Sequence, residues 1–226
     1  MATLTWLGHA SFRVDTDGGQ RLYVDPWLSG PTCPDAEKEP ERADAIVVTH
    51  GHGDHAGDVV GLQQKLGCKV LGMVELAHWF SQNGVAEDAV VSFNKGGTVS
   101  VGDVRVTLTN AFHSSSAPDG SYAGEPAGAV LRFDGHSVYF AGDTCVFGDM
   151  ALIARLYRPT VAVLPIGDHF TMGPEEAALA LELLGGPRCV PCHWGTFPLL
   201  AGNPDRLAEL TDAPVERIQP GDTVSL

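Results

Sequence analysis

Three histidines and one aspartate crowd into six residues at His50-Gly51-His52-Gly53-Asp54-His55. Imidazoles and a carboxylate at that density are costly to bury without partners, because every unpaired polar group forfeits its water. A bound cation removes the conflict. His50 and His52 stand two apart, so on an extended segment their rings project to the same side and can reach one ion. Asp54 and His55 follow where the chain turns into a helix and can reach a second ion, while Gly51 and Gly53 allow the tight backbone path.

Three further ligand-type side chains each follow an apolar run: His113 after Val106 to Phe112, Asp143 after Val138 to Gly142, and His193 after Arg188 to Cys192. Ligands delivered from the same end of successive strands converge even when they are distant in sequence. Seven ligands exceed the four that one tetrahedral ion takes, so two divalent ions per chain are expected. Nitrogen and oxygen donors suit zinc, and also accept manganese or iron.

The elements that must carry these residues can be read from periodicity. Thr3 to Leu7, Ser11 to Asp15 and Arg21 to Val24 alternate apolar and polar side chains, an opening strand meander. Residues 26 to 42 hold four prolines and read as a loop. Ala45 to Thr49 is a buried-type strand that runs into the histidine cluster and then into a helix carrying Val59, Leu62 and Leu66 on one face. Strands are expected at 69–72, 129–134, 137–141, 160–164 and 188–192, helices at 75–82, 149–157, 174–184 and 204–210, and a hairpin over 98–109 turning at Gly102-Asp103. Meanders first and strand–helix alternation later imply sheets covered by helices in one domain spanning 1–226.

The order and spacing of His-x-His-Gly-Asp-His, a later His, Gly142-Asp143-Thr144 and a final His resemble the metallo-β-lactamase superfamily along nearly the whole chain. Leu7-Gly8-His9-Ala10-Ser11-Phe12, Asp25-Pro26, Ala111-Phe112-His113-Ser114-Ser115-Ser116, Pro165-Ile166-Gly167-Asp168 and Phe170-Thr171-Met172-Gly173-Pro174 resemble more narrowly a bacterial and archaeal branch of metal-dependent hydrolases similar to the ascorbate-6-phosphate lactonases. Two positions depart from that pattern: His169 stands where Asn is expected, and Trp194-Gly195 replaces an aromatic–Asn pair. The resemblance implies an α/β fold, a four-layer αββα sandwich. It also implies that His50, His52 and His113 hold one ion, Asp54, His55 and His193 the other, and Asp143 bridges them. A dinuclear site generates a hydroxide nucleophile at neutral pH and polarises the bond under attack. The expected activity is hydrolysis of an ester, lactone or phosphodiester in a small metabolite, an anionic one included, with Asp54 orienting the hydroxide or moving its proton.

Other candidates carry competing readings. His9 follows the first strand at a glycine and is read as a substrate-contacting or acid–base group outside the ligand set, and His169 as a second candidate catalytic group. His78 reads as a packed helix residue, His136 as a turn residue and Cys145 as a buried inert thiol. Cys189-Val190-Pro191-Cys192-His193 spells the attachment motif of a c-type haem, but without an export signal two buried cysteines at a strand end explain it better. The amides opening the helix at Pro174 could dock an anion, although Glu175 and Glu176 already occupy that positive end.

A formal charge of −14, reduced only to about −10 by two divalent ions, disfavours nucleic acid and anionic membrane surfaces, and with them RNase activity. The absence of an apolar leader and five scattered cysteines fit a reducing cytoplasm. Rival functions are an iron-dependent redox enzyme on the same fold and a non-catalytic metal-binding protein; a complete ligand set argues against both. The oligomeric state is left open, a homo-oligomer included.

Overall fold

A computed structural model describes residues 1–226. The opening meander forms β1 (Thr3–Trp6), β2 (Phe12–Asp15) and β3 (Arg21–Val24). Parallel strands β4 (Ala45–Val47) and β5 (Lys69–Met73) follow, separated by the short α1 (Gly53–Ala56) and by α2 (Val59–Leu66), and α3 (Val74–Gln82) leads to β6 (Val90–Phe93). The second half contains β7 (Thr98–Val101), β8 (Val104–Asn110), β9 (Ala127–Phe133), β10 (His136–Phe140), α4 (Met150–Tyr157), β11 (Val161–Pro165), α5 (Pro174–Leu183), β12 (Arg188–Cys192), α6 (Pro204–Leu210) and β13 (Thr223–Ser225).

These strands make a seven-stranded sheet ordered β13-β1-β2-β3-β4-β5-β6 and a six-stranded sheet ordered β12-β11-β10-β9-β8-β7. The sheets face each other across a core to which both contribute: the Phe12 ring of β2 meets the Phe140 ring of β10 edge-on at 5.8 Å. Truncating such a buried ring to alanine costs about 3–5 kcal/mol. Helices α2 and α3 cover the first sheet with Val59, Leu62, Leu76 and Phe80. Helices α4, α5 and α6 cover the second with Met150, Ile153, Ala177, Leu181 and Leu207. The four-layer order is therefore the one the resemblance implies. Strands β4 and β11, covered on both faces, are buried at every residue and so show no alternation.

Strands β6 and β13 were not expected from the pattern. Val90-Val91-Ser92-Phe93 and Thr223-Val224-Ser225 are too short to carry periodicity and gain strand geometry only from neighbours, β5 in one case and β1 in the other. The proline-rich loop is held down rather than free: Ser29 donates from its amide and hydroxyl to the Asp58 carboxylate at 2.7 and 2.9 Å. No helix is long and apolar enough to cross a membrane.

Sheet polarity decides where ligands can gather. β1 and β3 both run antiparallel to β2, and β4 runs parallel to β3, so β1, β3 and β4 end at the same rim. In the second sheet β8 and β10 flank β9 antiparallel, and β11 and β12 continue parallel, so β8, β10 and β12 also share a direction. The residues that follow these six strands meet at one edge of the sandwich.

Candidate metal centre

The strand-end residues form two groups joined by a third. His50, His52 and His113 have ligand atoms within 4.8 Å of one another, so do His9, Asp54, His55 and His193, and Asp25 joins the two through His50 and His55. Asp143 lies between them. Its Oδ2 is 3.2 Å from His193 Nε2 and 3.4 Å from His55 Nε2 on one side, and 3.6 Å from His113 Nε2 and 3.9 Å from His50 Nε2 on the other. All seven residues expected as ligands are thus gathered, with Asp143 in the shared position.

Gly51 sits between His50 and His52 because nothing larger fits: a Cβ there would lie 2.6 Å from Ala123 Cβ and 2.7 Å from Ser116 O. Gly53 has open space around it, so its role is only to begin α1. The rim is built from unusual backbone. His9, Asp25 and His193 adopt φ of 50°, 46° and 54°, values that non-glycine residues hold only where surrounding structure enforces them. The His9 carbonyl accepts from the His193 amide and from Trp6 Nε1, each at 2.9 Å, which ties the two strained turns together.

Asp25 is the organising residue that the sequence reading left without a role. It follows β3 as Asp143 follows β10, so the same strand-end rule would have flagged it. Thr49 donates to it through its amide at 2.8 Å and its hydroxyl at 2.6 Å, and His55 Nδ1 donates to Oδ2 at 2.8 Å. Because the Thr49 hydroxyl proton goes to Asp25, its oxygen accepts from His50 Nδ1 at 3.1 Å. One buried carboxylate therefore fixes both imidazoles through Nδ1, so that the Nε2 of each faces the cluster, one ring in each group.

His9 is buried at 2% exposure and uses both ring nitrogens, Nε2 to Asp54 Oδ2 and Nδ1 to Thr196 Oγ1, each at 2.9 Å. An ionised carboxylate only accepts, so Nε2 carries the proton and Nδ1 of the neutral ring accepts from the Thr196 hydroxyl. His9 thus stands behind Asp54, bonded to its carboxylate. Thr196 has no local signal and could not be found from sequence. His169 is not brought to the cluster: it is exposed on the loop after β11, its ring 4.4 Å from that of Phe170. His78 is exposed on α3 rather than packed, and Cys145 is exposed rather than buried because its loop runs across the surface, its amide bonded to Phe112 O. Cys189 and Cys192 are buried free thiols in β12.

The electrostatics ask for a cation. Burial pushes the Asp143 carboxyl up, yet the facing His55 and His193 rings outweigh it and hold it well below the usual carboxylate range. Burial likewise opposes ionisation of Asp54, and the His193, His9 and His55 rings reverse it. His193 is raised to about 9, burial being overcome by Asp143 and Asp54, and His55 is raised well above its usual value by Asp143 and Asp25. Two protons in that group supply positive charge where a metal would. In the other group burial lowers His50, His52 and His113, leaving neutral rings ready to donate lone pairs. His55 Nε2 and Asp143 Oδ1 are buried with no hydrogen-bond partner, a state rare for polar atoms and expected of metal ligands. The residues fit a metal.

Residues 20–194 match the beta-lactamase superfamily domain. The chain belongs to the metallo-β-lactamase superfamily. It is 48% identical over 97% of its length to a UPF0173 metal-dependent hydrolase of Herpetosiphon aurantiacus, covering 96% of that protein. It is 46% identical over 98% of its length to one of Koribacter versatilis, covering 97%. Among solved structures it is similar to Igni18, a metallo hydrolase of the hyperthermophilic archaeon Ignicoccus hospitalis, with a TM-score of 0.87, 36% identity and coverage of 99% of this chain and 97% of that one. The protein is accordingly a metal-dependent hydrolase, and the cluster at the sheet rim is where its candidate metal-ligating side chains converge.

Proposed function

We propose that the hydrolase works with two divalent ions, zinc in the first instance, to cleave an ester, lactone or phosphodiester bond of a small metabolite. The single observation that carries this reading is the position of Asp143 Oδ2, within 3.2 to 3.9 Å of imidazole nitrogens from both ligand groups. A carboxylate so placed supports a role shared between two centres. His50, His52 and His113 would hold one ion, Asp54, His55 and His193 the other. Bound ions would lower the pKa of water and polarise the carbonyl or phosphoryl oxygen of the substrate.

The chain's own residues do the remainder. Asp54 is 31% exposed, the open edge of an otherwise buried group, so its carboxylate can reach both an ion and an attacking water. The His9 Nε2 proton, donated to Asp54 Oδ2, keeps that carboxylate oriented and ionised. Thr49 and Asp25 hold the His50 and His55 rings, so no reorganisation is needed when substrate enters. Free thiols throughout support a cytoplasmic setting.

Elemental analysis of the purified protein, combined with a hydrolase panel on metal-stripped protein reconstituted separately with zinc, manganese and iron, tests the proposal. Near two ions per chain and metal-dependent cleavage are expected. One ion at saturation would refute the shared-carboxylate site. A visible spectrum with oxygen-dependent turnover would favour the iron redox alternative.

A further inference from the structure

The loops around the cluster combine an absence of basic residues with exposed aromatic ones. None of the fourteen lysines and arginines falls in segments 7–11, 25–31, 48–58, 111–126, 141–149, 166–173 or 193–203, which together supply every ligand and the loops beside them. The same segments hold all four exposed aromatic residues: Phe112, Tyr122, Phe170 and Phe197. Phe112 precedes the ligand His113 and packs on Phe147 with ring centres 5.1 Å apart. On the opposite side Trp27 and Phe197 lie 6.1 Å apart, and both reach the His9 ring, at 5.3 and 5.9 Å. Aromatic groups thus stand on both sides of the site, and the lysines nearest these loops are already paired with carboxylates: Lys38 with Asp35, Lys65 with Glu39 and Lys95 with Glu125.

From this we infer that the hydrolase recognises an uncharged substrate through an apolar acyl or alkyl group seated against Trp27 and Phe197, with Phe112 on the far wall. The inference deepens the proposed function by naming its substrate class and rests on that reading for the reaction itself. Charge decides between substrate classes. Phosphorylated or carboxylated metabolites are held by Arg or Lys in a fork or point-charge contact, and this rim offers no arginine and only lysines already paired with carboxylates. Any positive charge of bound ions is directed at the reacting oxygen, and Asp119 and Asp168 on the same loops repel an anionic tail, while Glu125 is paired with Lys95. The aromatic faces instead reward removal of apolar surface from water. Each fully buried methylene favours binding by about fourfold.

Two arms test this. In the first, metal-loaded protein is assayed with p-nitrophenyl acetate, butyrate and octanoate, and with p-nitrophenyl phosphate and bis(p-nitrophenyl) phosphate. The expected result is kcat/KM at least about tenfold higher for octanoate than acetate, both phosphates trailing the esters, and a flattened chain-length dependence in Trp27→Ala and Phe197→Ser. In the second, the uncharged fluorophore N-phenyl-1-naphthylamine is titrated into metal-stripped protein, with Phe112→Ser as a further exposed-site variant. Binding weakened at least about threefold by Phe197→Ser and Phe112→Ser is expected, a readout that needs no turnover. A preference for the phosphates, or probe binding indifferent to both Phe197→Ser and Phe112→Ser, would overturn the inference. So would an aromatic rim that instead sediments with neutral lipid vesicles or drives self-association. Rim-dependent probe binding without hydrolysis of any ester would leave the apolar subsite standing and overturn the ester reading of the reaction.

Discussion

Asp25→Asn removes the charge that orients a ligand in each metal group. The native carboxylate accepts three hydrogen bonds, from the Thr49 amide and hydroxyl and from His55 Nδ1, at 2.6 to 2.8 Å, and is 2% exposed. An asparagine amide can keep its oxygen on the Thr49 amide, but its nitrogen then faces Thr49 Oγ1 and His55 Nδ1 as a donor. The threonine hydroxyl can rotate to accept. His55 can answer only by moving its proton to Nε2, the atom that faces Asp143, and there it blocks coordination. Rotation of the Thr49 hydroxyl also releases the acceptor held for His50 Nδ1, so the second group loosens too. Loss of such an outer partner costs about 10–100-fold in metal affinity, or about 1.4 to 2.7 kcal/mol. The assay is titration of metal-stripped wild type and Asp25→Asn with buffered free zinc, read by elemental analysis after equilibrium dialysis, with thermal melting of the metal-free forms to separate folding from binding. Unchanged affinity at both sites in a folded Asp25→Asn protein would refute the claim that this carboxylate sets the imidazoles.

Asp54→Asn should lose metal from its own group and nearly all turnover, whereas His9→Ala should keep metal near the wild-type content while kcat or kcat/KM falls about 10- to 100-fold; metal and kinetics measured on the same samples decide, and loss of an ion in His9→Ala would move His9 into the ligand set. Thr196→Val deprives His9 Nδ1 of its hydrogen bond, worth about 1 kcal/mol, so kcat should drop severalfold with KM little changed and Thr196→Ser should restore it. Failure of the serine variant to rescue would refute the positioning role. Metal binding at pH 7 should release protons from His55 and His193, measurable by calorimetry in buffers of different ionisation enthalpy. Release should decline above the His193 value of about 9. The same raised values mean that the metal-free chain draws stability from these rings below 6.5 and loses it as pH rises through about 9, so its melting temperature should fall across that window. No proton release at pH 7 would show that the rings are already neutral.

The seven candidate ligands that the fold gathers at one rim were legible in the sequence because each is a side chain of metal-binding type just past an apolar run, and because the glycine-spaced histidine cluster has no comfortable structure without a cation. The layered fold was legible for the same reason: meander and alternation are local patterns in hydrophobicity, and hydrophobicity selects which faces are buried. Tertiary structure alone decided the rest. β6 and β13 are strands by virtue of the neighbours that complete their hydrogen bonds. Thr196 meets His9 across 187 residues, a distance no periodicity encodes. Asp25 needed the parallel pairing of β3 with β4 to bring it against Thr49 and His55. The aromatic rim needed six strands to end at one edge before its scattered residues became a single surface. Side-chain type and spacing along the chain announce which chemistry is possible. Which atom of each ring carries the proton, and what stands beside it, depends on contacts between residues far apart in sequence, and only the folded chain brings those together.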